Sequence, residues 1–229
     1  MKDIRPLIPV NITQEEQSKL VEELLNETQT FIPSQANTTN SREYLILPSK
    51  TYGNYSYPDL LIQTTRLGYD KEIEKAAKKL NLSLQNTAAE QAAGKGYIGN
   101  IKWKQALDLN SALNGLTLNL RQFADFLNLL KSGNAFYADG SKADKILLDK
   151  VLDEILTVRA PYRAEWLDAD FKFKGNKSYI NYDHKLINNV LVPQRTELLE
   201  KCIMEDCKVD LNSFNKQGLP TKKGNDFDY

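Results

Sequence analysis

The apolar residues of this chain repeat with one period before Pro161 and with another after it. Up to that proline they recur at helical spacing. Beyond it "FKFK" alternates, "GN" turns, and "SYINY" resumes the alternation. "KLI-NN-VLV" then reads as a hairpin around Asn188-Asn189, because Asn tolerates the positive φ of a tight turn. The expected fold class is therefore α+β, predominantly helical, with a small antiparallel sheet toward the C-terminal part.

Helices are expected at several places before that change. Thr13 and Glu16 form a capping box ahead of a stripe through Leu20, Val21, Leu24 and Leu25. "DKEIEKAAKKL" (70–80) places Ile73, Ala76, Ala77 and Leu80 on one face. "LQNTAAEQAA" is a weaker helix. A helical hairpin is expected over 101–132, its first helix stopped at Asn114-Gly115. Its second is capped by Asn119 and Gln122, stapled by Leu118 and Phe123, and ended by Gly133. Ser141 with Asp144 caps a third, through Leu148, Val151, Leu152 and Ile155, and a last helix is expected from Thr196 to Glu205. "YLIL" from Tyr44 is a short strand. The domain reading is an N-terminal helix and polar linker (1–45), a helical body with its C-terminal sheet (46–215), and a polar tail (216–229).

Charge narrows the partners. Lys plus Arg equals Asp plus Glu at 30 each, and no run of four basic residues occurs, which argues against nucleic acid. No apolar run approaches the roughly 20 residues of a membrane span, and "MKDIRPLIPV" lacks the apolar region of a signal peptide. The expected location is a cytoplasm or a virion. Cys202 and Cys207, five apart on the expected last helix, would face apart and not bridge. With one histidine in the chain, no zinc site is expected, nor any other metal or cofactor.

Three motifs compete for chemistry. "GKGYIG" (94–99) matches a dinucleotide fingerprint, but an alanine-rich helix precedes it where a strand is required, so it reads as a connector. "DGSKAD" lacks the calcium-loop spacing and reads as a turn. "RAPYRAEWLDADF" (159–171) and "YDHK" bring carboxylates, arginines and the histidine close in sequence. As a hydrolase they would use Glu165, Asp168, Asp183 and His184, with two of them converging on a pocket. As structure, Tyr162, Trp166 and Phe171 anchor a helix-to-sheet corner, and this is the preferred reading. The Tyr-, Ser- and Asn-rich "SKTYGNYSYPD" is the candidate ligand loop, with Tyr52, Tyr55 and Tyr57 as contacts, against a packed irregular loop.

The stretches "RAPYRAEWLDADF", "INYDHKLINNVLVP", "CIMEDCKVDLNSF" and "QGLPTKK" resemble archaeal and viral variable proteins of diversity-generating retroelements, over roughly Tyr97 to Lys223. In that group the chain continues into a C-type-lectin-like variable end. The resemblance implies a non-enzymatic binding or display protein, its helical part a scaffold and its partner a protein or glycan. No variable segment is visible here, so no ligand-contacting residue is carried over.

Overall fold

A computed structural model of the chain describes residues 41–82, 85–86, 98–99, 101–157, 165–188 and 190–228. The expected helix at 13–26, its linker up to residue 40, and most of "LQNTAAEQAA" and "GKGYIG" lie outside these residues, as do Arg159, Pro161, Tyr162 and Arg163.

After a short 3-10 turn (Ser41–Glu43) come β1 (Tyr44–Leu47), β2 (Lys50–Tyr52), β3 (Tyr55–Tyr57) and β4 (Leu60–Gln63). Helix α1 (Lys71–Lys79) follows, then two-residue strands β5 (Gln85–Asn86) and β6 (Ile98–Gly99), and helices α2 (Trp103–Ala112) and α3 (Leu120–Ser132). Strand β7 (Phe136–Tyr137), helix α4 (Lys145–Leu156), and strands β8 (Asp170–Lys174), β9 (Lys177–Ile187) and β10 (Val190–Leu198) come next. Strands β11 (Lys208–Val209) and β12 (Phe227–Asp228) close the described part.

The expectation of a predominantly helical protein is overturned. Among the described residues, strands hold at least as many residues as helices, and every strand pairing is antiparallel. Sheet is not confined to the C-terminal part either: β4-β1-β7 forms one three-stranded sheet and β10-β9-β8 another. Strand β1 is the one expected at "YLIL", whereas β2 to β4 are too brief to show a period of their own.

Local signals carried through in several places. Asp70 caps α1 by accepting from the Ile73 N–H at 2.9 Å. Asn119 accepts from the Gln122 N–H at 3.1 Å while Gln122 Oε1 accepts from the Asn119 N–H at 2.9 Å, the reciprocal capping box. Gly133 ends α3 in the left-handed region at φ +70°. β9 and β10 pair through Val190 and Ile187 around Asn188, whose φ is +50°.

Others did not. Residues 101–132 do form two helices, but not a packed hairpin. α2 buries Leu109 against Ile73 and Ala76 of α1, whereas α3 joins the main core. Ser141 does not cap α4; its hydroxyl and N–H turn back to Asp139, and Asp144 is the N-cap residue. No helix spans 196–205: β10 runs to Leu198 and an irregular loop follows. The pairing with β9, in one register from Val190↔Ile187 to Leu198↔Tyr179, overrides the helical propensity of "RTELLEK". With that helix goes the argument that held Cys202 and Cys207 apart; both are free, half-buried thiols in the loop and beyond it.

The main core gathers Leu45 and Leu47 of β1, Tyr55 and Tyr57 of β3, Phe126 and Leu130 of α3, Leu148 and Val151 of α4, and Ile180 and Tyr182 of β9. Residues 217–220, read from sequence as part of a polar tail, are buried and close over the start of α3. Leu219 is 1% exposed, and Gly218, at φ +76°, passes so near the start of α3 that a Cβ there would sit 2.4 Å from the Leu120 carbonyl carbon.

Candidate functional site

Three polar constellations surround this core, and each begins with a side chain that the fold pulls out of water. The first is on α3. Its amphipathic stripe buries Asp125 beside Phe126, and a buried carboxylate needs donors on both oxygens. The β2–β3 hairpin, turned by Gly53 at φ +61°, supplies them. Lys50 Nζ donates at 2.5 Å to Oδ1, the Tyr52 hydroxyl reaches both oxygens at 2.6 Å, and the Tyr57 hydroxyl donates to Oδ2 at 2.6 Å. Burial first, and then the hydrogen bond to Asp125, push both phenols above their ordinary pKa. Burial would lower the Lys50 pKa, but its bonds to Asp125 and Tyr52 and their charges together outweigh this and raise it.

The second lies between α3 and β9. The Tyr55 hydroxyl accepts from Asn119 Nδ2 at 2.6 Å and from Gln122 Nε2 at 3.2 Å. Burial pushes Tyr55 up to about 12, against the opposing bond from Asn119. Arg121 places its guanidinium 4.7 Å from the Tyr55 ring centre and 4.9 Å from that of Tyr182, and pairs with Glu197 at 2.5 Å. Glu197 also accepts from the Tyr182 hydroxyl and from Gln217 at 3.1 Å. Burial would raise its carboxyl, but these bonds outweigh it and hold the pKa low.

The third contains the histidine. His184 on β9 is buried against the segment 165–168, with its Nδ1 2.5 Å from Asp168 Oδ1, and the Trp103 ring meets the imidazole edge-on at 5.3 Å. Trp103 is itself tied by its indole N–H to the Leu167 carbonyl at 2.8 Å. Asp183, in the left-handed region at φ +55°, takes the Asn119 amide at 3.0 Å and lies 3.5 Å from Arg195. Burial raises the Asp183 pKa, the Asn119 bond opposes this, and the Asp168 charge adds to the rise.

The sequence-predicted residues thus fall into three places. Asp168, Asp183 and His184 come together, but as a polar knot in which the Asp168 and His184 side chains are buried and Asp183 is half-buried. Glu165 is separate: with Trp166 it lines a cleft of ≈ 220 Å³ whose described walls include neither Asp168 nor His184. Tyr52 is half-buried, while Tyr55 and Tyr57 are 2% and 5% exposed and aim their hydroxyls inward. Sequence reasoning missed Asp125, Asn119, Arg121 and Glu197, the groups that hold the tyrosines. Its one available signal was an Arg and an Asp set among the apolar residues of an amphipathic helix.

The cleft has an apolar floor of Leu118, Phe123, Phe126, Val151 and Ile155. Its rim carries Arg66, Glu154, Glu165, Asn110 and Thr117, with Arg66 and Glu154 2.9 Å apart and Asn110 Nδ2 donating to Thr117 at 2.8 Å. Trp166, 43% exposed, stands beside Glu165. No protein-family model, curated protein or solved structure matches the chain. Among the described residues, no helix is long and apolar enough to cross a membrane.

Proposed function

We propose that this chain is a non-enzymatic binding protein that recognises a glycan at the cleft beside Trp166. The observation that carries the reading is the half-exposed indole on a concave site with an apolar floor and a polar, pre-paired rim. Binding sites are of this kind: concave, mostly apolar, with a few fixed polar groups. A flat aromatic face accepts the C–H face of a sugar ring, and Glu154, Glu165, Arg66 and Asn110 supply acceptors and donors for its hydroxyls. The resemblance to retroelement variable proteins points the same way, to recognition and display from a cytoplasmic or virion protein. A hydrolase built on Glu165, Asp168, Asp183 and His184 is the weaker reading, because Asp168 and His184 spend their hydrogen bonds on each other away from the cleft.

The test is indole fluorescence titrated with a panel of neutral and acidic oligosaccharides, on the wild type and on Trp166→Ala. The expected result is saturable binding weakened at least tenfold in the variant, with its melting temperature little changed. No response to any oligosaccharide, or equal affinity in the variant, removes the proposal.

A further inference from the structure

Strand β8 is an edge strand, and its outward side is chemically self-complementary. Hairpin geometry shows which backbone groups point outward. Gly175 opens the two-residue β8–β9 turn at φ +59°, the glycine position of a type II′ turn. In such a hairpin the residues flanking the turn, Lys174 and Lys177, form a hydrogen-bonded pair, as do Lys172↔Tyr179 and Asp170↔Asn181 by alternation. The opposite parity of β9 faces β10, since the Leu199 N–H donates to the Ser178 carbonyl at 2.9 Å. Phe171 and Phe173, opposite Ile180 and Ser178, therefore turn their backbone N–H and C=O away from the sheet. No backbone bond to these groups occurs among the described residues.

The side chains of the same residues are exposed: Phe171 at 42% and Phe173 at 74%. An unpaired edge carrying two exposed aromatics is a template for another strand.

We infer that β8 is a homodimer interface, in which two copies of the chain pair their β8 strands antiparallel across a two-fold axis at Lys172. That register is the one in which Phe171 and Phe173 meet Phe173 and Phe171 of the second copy as hydrogen-bonded pairs. It makes four backbone bonds and joins the two three-stranded sheets into one of six. Each Asp170 then stands opposite a Lys174 of the other copy, at both ends. Lys172 meets its own copy at the centre, but each Lys172 already leans on its own Asp170 at 3.0 Å. A slip of the pairing to Phe173↔Phe173 sets Lys172 against Lys174 and loses the opposite-charge pairs. The lysines therefore disfavour that slip and discourage open stacking of edges.

The full chain should show a monomer–dimer equilibrium in sedimentation velocity. Phe173→Pro removes an outward N–H without touching the β9 ladder, and should give monomer with an unchanged circular dichroism spectrum. Lys174→Glu sets like charges at both ends and should raise the dissociation constant at least tenfold. Mixing Lys174→Glu with Asp170→Lys restores opposite charges at both ends, and should recover association between the two variants. A wild type that stays monomeric up to its solubility limit overturns the inference. So does a Phe173→Pro or Lys174→Glu variant that associates as tightly as wild type.

Discussion

Asp168 holds His184 twice: Oδ1 lies 2.5 Å from the imidazole Nδ1, and Oδ2 accepts the backbone N–H of the same residue at 2.8 Å. The Asp168 N–H is in turn bonded to the Leu118 carbonyl at 2.8 Å. One residue thereby joins the segment before β8 to the middle of β9 through its carboxylate and to the entry of α3 through its backbone. Replacing Asp168 by Ala leaves a buried N–H and a ring nitrogen without partners, at roughly 1–3 kcal/mol each. Urea denaturation should show a loss of about 2–5 kcal/mol. A loss below about 0.5 kcal/mol would mean the histidine is held by its packing against Trp103 alone.

The tyrosines give the fold an alkaline limit. Tyr55 titrates near 12 in the folded protein against about 10 in the unfolded chain. Its contribution to stability is complete below pH ~10 and is lost as pH rises through about 12, because the unfolded chain releases the proton first. Tyr57 and Tyr182, also pushed up, act in the same sense. Denaturation midpoints measured from neutral pH upward should fall above pH ~10, and fall less steeply in Tyr55→Phe. A flat profile in the wild type contradicts the buried hydrogen-bonded phenols.

Asp183 is the reverse case. Its ionised form is disfavoured by burial and by the Asp168 charge, and Asn suits a left-handed φ as well as Asp does. Asp183→Asn keeps an acceptor for Asn119 and should cost no more than about 0.5 kcal/mol at neutral pH. A marked loss would assign weight to the contact with Arg195.

Gly218 admits no side chain for two independent reasons, its positive φ and the Leu120 backbone against it. Gly218→Ala should destabilise by about 2–4 kcal/mol. Gly140, whose φ is also positive at +81° but which faces open space, is the control: its Ala variant should cost only the conformational part, about 1–2 kcal/mol.

The features legible in the sequence are those written within a few residues of each other. The capping box of Asn119 and Gln122, the αL stop at Gly133 and the Asn188 hairpin each rest on a local bond or dihedral. What escaped was settled at a distance. Tyr57 and Asp125 are 68 positions apart, and nothing near either residue names the other. The same holds for Thr196 to Leu198, which follow β9 into strand although their own propensity is helical. The candidate site suffered most. The tyrosine hairpin has the composition of a recognition loop, yet groups far along the chain, Asp125 for Tyr57 and Asn119 for Tyr55, turn two of its three rings inward.

Gly218 and its neighbours also set the order of events during synthesis. The first described strand, β1, lies in the middle of its sheet, and its partner β7 emerges some ninety residues later. The entry of α3 is not covered until Gln217 to Pro220 have left the ribosome. A nascent chain halted before that point would hold its β-strands beside an uncovered helix end, with the apolar surface there open to water and to aggregation.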